Sequence, residues 1–198
     1  MPMSSKNKCD INIMIRGIGG QGVKLAGSII GQAALFGGRF AVQGMKYGSA
    51  ITGGETRSEI KVSTKEIIYP RITDIDAYVA LTLDDLENYF ESTIYIAASE
   101  VAKKIPEPIK NKIIIAPMLA IAEELGDVRS INIVMIGILN QLFNLAPSNA
   151  FIKAIKEYLP PKSHQLNIEA YNRGYTLDLT KYNSKKVLDL ANLCKIKV

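Results

Sequence analysis

An apolar stretch, Ile11 to Ile15, runs straight into Gly17-Ile18-Gly19-Gly20-Gln21-Gly22, and an apolar helical pattern follows. A strand, a turn of GxGxxG spacing and a helix together present backbone N–H groups and a helix N-terminus, the arrangement that cradles a phosphate or pyrophosphate. Gly17, Gly19, Gly20, Gln21 and Gly22 are therefore the first candidate ligand residues, as a phosphate loop or as an interface loop. The rest of a dinucleotide fingerprint is missing. An Asp or Glu about 20 residues further on should pair with a ribose, yet no acidic residue stands between Ile11 and Gly54. Arg16, Lys24, Arg39 and Lys46 instead give that stretch four positive charges and no negative one. NAD is disfavoured on this ground, while NADP or another phosphate ligand stays compatible through Arg39. The same glycines also suit a tight turn and close helix packing with nothing bound, and the residues alone leave these readings open.

Twelve of the fifteen glycines fall between Gly17 and Gly54, more than a single phosphate loop requires. Glycine permits unusual backbone angles and close approach, so Gln43 to Gly54 reads as a second irregular loop beside the first, with Tyr47, Gly48, Gly53 and Gly54 as its candidate residues. Two such loops make a surface suited to a large neighbour. The chemistry that other residue types would supply is absent. Cys9 and Cys194 stand near opposite ends with no CxxC, and His164 is the only histidine. That inventory predicts no catalytic residue, no metal site and no iron–sulfur cluster held by this chain.

The elements that must position these loops follow from periodicity. Residues 10–16 read as a buried strand and Gln21 to Phe36 as a helix whose Gly27 and Gly31 share one face, inviting close packing. Glu55 to Ser63 alternates as a half-exposed strand, and Ser63-Thr64-Lys65-Glu66 turning into Ile67-Ile68-Tyr69-Pro70 predicts a hairpin. Ala77 to Leu81, Thr93 to Ala97 and Lys112 to Ala116 read as buried strands, and between the first two Thr82-Leu83-Asp84-Asp85 reads as a capped helix start running to about Phe90. Helices are predicted over 118–125, 131–144, 148–158 and 163–177, with Ser148 and Ser163 as caps. Residues 185–198 read as a C-terminal helix or an arm laid on a partner. The fold class this predicts is α/β, a three-layer α/β/α arrangement with a mixed sheet and a Rossmann-like glycine loop after the first strand. One domain over 1–198 is expected, its core at about 10–180 and a helix or arm at 181–198.

A length of 198 residues suits one core, and a net charge of +5 is mild. Basic residues are not interleaved with aromatics as a nucleic-acid surface requires. The longest apolar run, Ile131 to Leu139, is too short to cross a bilayer. The polar stretch Met1 to Lys8 lacks a signal core, and two cysteines without a framework fit a reducing compartment, so a cytoplasmic location is expected.

GxGGQG at Gly17 to Gly22, Ala26-Gly27 in the helix, Tyr47-Gly48, Gly53-Gly54, a strand ending at Ser63 and the later Ile68-Tyr69-Pro70 jointly resemble one family over about residues 10–180. The chain resembles the gamma subunit, or corresponding domain, of the 2-oxoacid:ferredoxin oxidoreductases acting on pyruvate, 2-oxoglutarate or ketoisovalerate. The Tyr47-Gly48 form and the isoleucine–proline segment resemble the 2-oxoglutarate branch more than the pyruvate branch. The resemblance implies CoA-dependent oxidative decarboxylation of a 2-oxoacid to its acyl-CoA with ferredoxin reduction. It also implies that thiamine diphosphate, magnesium and iron–sulfur clusters are held by partner subunits, this chain shaping the complex or touching coenzyme A phosphates. Ferredoxin would be reached through the complex, and self-association is compatible. Relatives carry an Arg directly before the second Gly-Gly pair and a Glu earlier in that loop. Here those positions are Thr52 and Ala50, with Arg57 the nearest replacement charge. A stand-alone NADP- or nucleotide-binding protein is the alternative reading, and an assembly protein without ligand the third.

Overall fold

The computed structural model describes residues 9–48 and 54–196. Strand β1 (Asp10–Ile18) leads through the glycine turn into helix α1 (Val23–Phe36), and β2 (Phe40–Tyr47) and β3 (Glu55–Ser63) form a hairpin. Then come β4 (Ile75–Ala80), α2 (Leu83–Glu87), β5 (Ser92–Ala98) and β6 (Ile113–Ala116). The remainder is helical: α3 (Met118–Glu124), α4 (Ile131–Phe143), α5 (Ser148–Tyr158), α6 (His164–Tyr175) and α7 (Lys185–Leu193).

The sheet is mixed, in the order β2-β3-β1-β4-β5-β6. β3 runs antiparallel between β2 and β1, while β1, β4, β5 and β6 are mutually parallel. Side chains alternate across the pleat, so Ile11, Ile13 and Ile15 join the larger core with α1, α3, α4, α5, α6 and α7. On the opposite face Met14, Tyr78, Ala80 and Tyr95 pack under Leu86 of α2 and Ile109 of a short 3₁₀ turn. The mixed α/β class expected from the sequence is found, with a thick helical layer on one face and a thin cover on the other.

Four local expectations are corrected. Phe40 to Tyr47 is a strand, so the second loop begins at Gly48 rather than Gln43. The alternation of β2 is obscured because its inward position is the polar Gln43, which enters where Gly27 has no side chain. Its Nε2 donates to Lys24 O and Ser58 Oγ, each at 3.0 Å, and its Oε1 accepts from Ser28 Oγ at 3.0 Å. The hairpin predicted after Ser63 does not form. β3 already has β2 on one edge and β1 on the other, so Ile67 to Tyr69 finds no ladder to join, and Ile68 is 94% exposed. Neither Ser148 nor Ser163 caps its helix through its side chain: Ser148 Oγ accepts from Tyr171 Oη at 3.3 Å, and Ser163 Oγ donates to Pro160 O at 2.9 Å. The helix begun by Thr82 stops at Glu87, although its capping box with Asp85 is present as the sequence predicts. Residues 185–193 form the plain helix, and Val187, Ala191, Cys194 and Ile196 bury against the chain's own core.

Tyr78, Tyr95 and Tyr171 are the largest buried side chains. Burial pushes all three phenols above their ordinary value, Tyr95 to about 12. An acid whose folded pKa is raised stabilises the fold below its unfolded pKa of about 10, and that contribution is lost as pH rises through the folded value. Three of the nine tyrosines are thus expected to ionise only together with alkaline unfolding. Phenolate absorbance followed beside far-ultraviolet circular dichroism checks this; all nine titrating while helicity is intact would contradict it.

Candidate functional site

The glycine turn is stitched by its own glutamine. Gln21 N donates to Ile18 O at 3.2 Å, and Gln21 Oε1 accepts from Ile18 N at 2.9 Å. Gly20 and Gly22 take left-handed backbone angles, φ 96° and 74°, which reserve both positions for glycine. Gly22 caps α1 with no side-chain hydrogen bond, and the first amide to bond back is Ala26 N, to Gly22 O at 2.9 Å. The helix therefore opens with free donors.

The second loop is tied to the first. Gly48 N donates to Glu55 O at 2.7 Å, closing the end of the β2–β3 ladder, and Gly19 N donates to Gly54 O at 3.1 Å. Between the loops lies a cleft of about 460 Å³ lined by Gly19, Gly20, Gly22 and Tyr47, together with Lys24, Ser28, Thr56 and Tyr158. Among the predicted residues, Gly19, Gly20, Gly22 and Tyr47 thus line one cleft, and Gly48 and Gly54 frame it. Gly17 sits behind, where an added Cβ would fall 2.6 Å from Gln21 Oε1. Gly53, Thr52 and Ala50 lie outside the described residues. Lys24, Ser28 and Thr56 could have been found from their place on the helix and strand already identified. Tyr158 arrives from the far end of α5 and carries no local signal.

A dinucleotide would be expected where neighbouring strands send their connections to opposite faces, which here is between β1 and β4. That crevice is filled by Gln21, whose Nε2 reaches Leu81 O at 3.5 Å while Leu81 N donates to Arg16 O at 3.1 Å. Arg39, the residue that kept NADP open, stands at the other end of α1, about 20 Å away at 1.5 Å rise per residue. There its guanidinium donates to Asn144 O. The stand-alone nucleotide reading loses both of its supports.

Beneath the loops Arg16 gathers a buried charge cluster. Its Nε lies 3.1 Å from Glu55 Oε1 and 3.4 Å from Asp85 Oδ1, at angles that make these ion pairs rather than directed hydrogen bonds. Nη1 donates to Tyr78 Oη and Asn88 O. Burial works against the guanidinium, but Tyr78, Glu55 and Asp85 outweigh it and hold it above its ordinary value. Burial raises the Asp85 carboxyl above the usual carboxylate range, against hydrogen bonds from Thr82 and the charge of Arg16. Arg57 pairs with Glu59 at 2.9 Å and lies 4.8 Å over the Phe90 ring. On the strand it alternates with Thr56, so it faces away from the cleft and does not replace a charge there.

Residues 12–177 match the pyruvate ferredoxin/flavodoxin oxidoreductase family. The 2-oxoglutarate synthase subunit KorC of Methanothermobacter marburgensis is 35% identical over 176 residues, covering 83% of this chain and 95% of that one. The indolepyruvate oxidoreductase subunit IorB of Pyrococcus horikoshii is 24% identical over 191 residues, covering 83% of this chain and 94% of that one. Among solved structures, the gamma subunit of a keto/oxoacid ferredoxin oxidoreductase from Geobacter sulfurreducens superposes with a TM-score of 0.77 at 26% identity, covering 89% of this chain and all of that one. With the family matched across most of its length and a gamma subunit matched end to end, the chain belongs to the pyruvate ferredoxin/flavodoxin oxidoreductase family, as a gamma subunit of a 2-oxoacid:ferredoxin oxidoreductase complex.

Proposed function

We propose that this chain serves a complex that oxidatively decarboxylates 2-oxoglutarate to its acyl-CoA and reduces ferredoxin, in the cytoplasm. The observation that carries the substrate is the 35% identity to a 2-oxoglutarate synthase subunit over nearly its full length, against 24% for an indolepyruvate relative of similar coverage. In such a complex thiamine diphosphate with magnesium supplies the electron sink for decarboxylation, and iron–sulfur clusters carry single electrons. This chain's residues do not fit those groups. Cys9 directly precedes β1 and Cys194 directly follows α7, at opposite ends of the described chain, and among the described residues no group of three or more His, Cys, Asp or Glu could hold a metal. Partner chains hold them in this reading. The two-loop cleft, where Tyr47 is 64% and Ile18 is 43% exposed, is the face we assign to those partners.

Co-expressed with its neighbouring genes, the chain is expected to co-elute with thiamine- and cluster-bearing chains. The complex should reduce a viologen dye with 2-oxoglutarate and coenzyme A in preference to pyruvate or indolepyruvate, while the chain alone shows neither turnover nor visible cluster absorbance. Turnover by the single chain, or elution without such partners, overturns the subunit role. A preference for pyruvate overturns the substrate alone.

A further inference from the structure

The sheet ends on one side in an open edge. β2 is its outermost strand there, and its ladder to β3 runs unbroken from Phe40 opposite Ser63 to Tyr47 opposite Thr56. Gly48 N donates to Glu55 O, so by alternation Lys46, Gly44, Val42 and Phe40 also turn their amides and carbonyls toward β3. Those of Ala41, Gln43, Met45 and Tyr47 point outward and bond nothing among the described residues. An edge of this kind pairs with another chain unless it is short, charged, bulged or broken by proline. Phe40–Tyr47 is eight residues long, with no proline, no bulge and one charge, Lys46.

Gly44 is the residue that a single copy does not explain. It stands in mid-strand outside the left-handed region, and an added Cβ would meet only Glu59 Cβ at 3.8 Å and Glu59 O at 4.0 Å. Glycine weakens a strand relative to alanine, and one kept there marks a place where another backbone comes close. Its position says which backbone. The outward residues 41, 43, 45 and 47 are symmetric about 44. An antiparallel second copy with its Gly44 opposite this one therefore pairs Ala41 with Tyr47 and Gln43 with Met45, in both directions, and every outward donor finds an acceptor. Gly44 then faces Gly44 as a non-hydrogen-bonded pair, the closest kind, with Cα atoms about 4.5 Å apart.

Size and charge agree with that register. The exposed aromatics Phe40 and Tyr47 fall opposite Gly48 and Ala41 of the second copy, large against small. Lys46 falls opposite Val42, so no like charges are directly opposed. Its ammonium is mostly exposed and only loosely held, 3.9 Å from Glu59 of its own copy. Gly44 raises no side chain between it and the Glu59 carboxylate of the other copy. Lys61, behind Val42, already donates to Tyr69 O at 3.2 Å.

We propose that two copies of this chain join edge to edge through β2, antiparallel about a two-fold axis at Gly44, into one continuous sheet. Tyr47 ends this strand and also lines the two-loop cleft, so the seam runs up to the face assigned to partner chains. The test reads mass and not turnover, so it stands or falls apart from that assignment.

Sedimentation equilibrium of the full-length chain, over a series reaching micromolar concentration, is expected to show a monomer–dimer equilibrium. Gly44→Lys opposes two ammonium groups at the axis but sets each beside Glu59 of its own copy. It should leave the circular dichroism spectrum unchanged and weaken association at least about ten-fold. Gly44→Cys reads the register: the expected Cα spacing lies within disulfide range, so mild oxidation should link the chains well beyond the parent protein treated alike. Val42→Cys, which faces Lys46 and not its own twin, should link far less. A chain that stays monomeric, association unchanged by Gly44→Lys, or linking no greater at Gly44→Cys than at Val42→Cys would each overturn the proposal. Protection of the Ala41 to Tyr47 amides from exchange only when other subunits are added would give this edge to a partner chain and overturn it equally.

Discussion

Gly137→Ala is expected to destabilise the protein by about 3 kcal/mol, and Gly174→Ala by a similar amount, the upper range for overpacking a closed contact. The two glycines meet where α4 and α6 cross. A Cβ on Gly137 would overlap Tyr171 O and lie 2.7 Å from Tyr175 N, and one on Gly174 would overlap Val134 O and lie 3.0 Å from Val134 C. All of these are backbone atoms. A side chain could rotate away, whereas here one helix must move off the other. Helix propensity argues the opposite way, since Ala is favoured over Gly by about 1 kcal/mol inside a helix, and the expected loss is net of that gain. Moving α6 would also disturb Tyr171, which stacks on Phe151 at 5.2 Å and accepts from Asn140 Nδ2 at 2.8 Å. Urea unfolding measures the change. Gly38→Ala is the control: φ is 75° but nothing lies within 4 Å, so only the left-handed strain of about 1–2 kcal/mol applies. Equal losses at Gly38 and Gly137 would show that the crossing is not in contact.

That crossing explains part of what the sequence does and does not reveal. Gly137 and Gly174 sit in ordinary helical patterns, and a reading by periodicity has no reason to bring positions 37 residues apart together. Patterns carried by one element were legible: the alternation of β3, the capping box at Thr82 and the buried strands β4 to β6 each express burial in their own residues. The strand β2 was not, because its inward Gln43 is solvated by Lys24 O and Ser58 Oγ, a partnership that exists only once α1 and β3 are in place. The false hairpin after Ser63 has the same origin, since a strand's free edges are counted across the whole sheet. At the site, the glycines of the first turn were legible because left-handed backbone angles restrict residue type locally. Gln21 was picked out correctly but for the wrong role: its carboxamide is committed to Ile18 and Leu81.

Arg16→Met should cost about 3–5 kcal/mol at neutral pH, the penalty for removing one partner from a buried ion pair. The side chain of Arg16 is 6% exposed and that of Asp85 is 3% exposed, so water cannot take the place of the lost guanidinium. Glu55, at 49%, can turn outward and contributes little to the deficit. Asp85 keeps only Thr82, whose Oγ1 and N donate at 2.6 and 3.0 Å. Burial already holds its carboxyl above the usual range, and Arg16 is among the influences pulling it back down, so the variant raises it further. The sign of the pH dependence follows. An acid with a raised folded pKa gives its full stabilisation below the unfolded value of about 4 and loses it as pH rises through the folded value. The gap between variant and wild type is therefore smallest in acid and widens toward neutrality. Adding Asp85→Asn to Arg16→Met removes the orphaned charge while keeping an acceptor for Thr82, and should recover a large part of the loss. Because Glu55 follows Gly54, whose carbonyl accepts from Gly19 N, the same variant should also loosen the two loops. Their amides would then exchange with solvent faster than those of α4 in the folded protein. Chemical denaturation across the acid-to-neutral range is the decisive measurement: a deficit that does not change with pH, or no rescue by the second substitution, would mean that Arg16 stabilises by packing against Phe90 and Tyr78 and not by meeting the charge of Asp85.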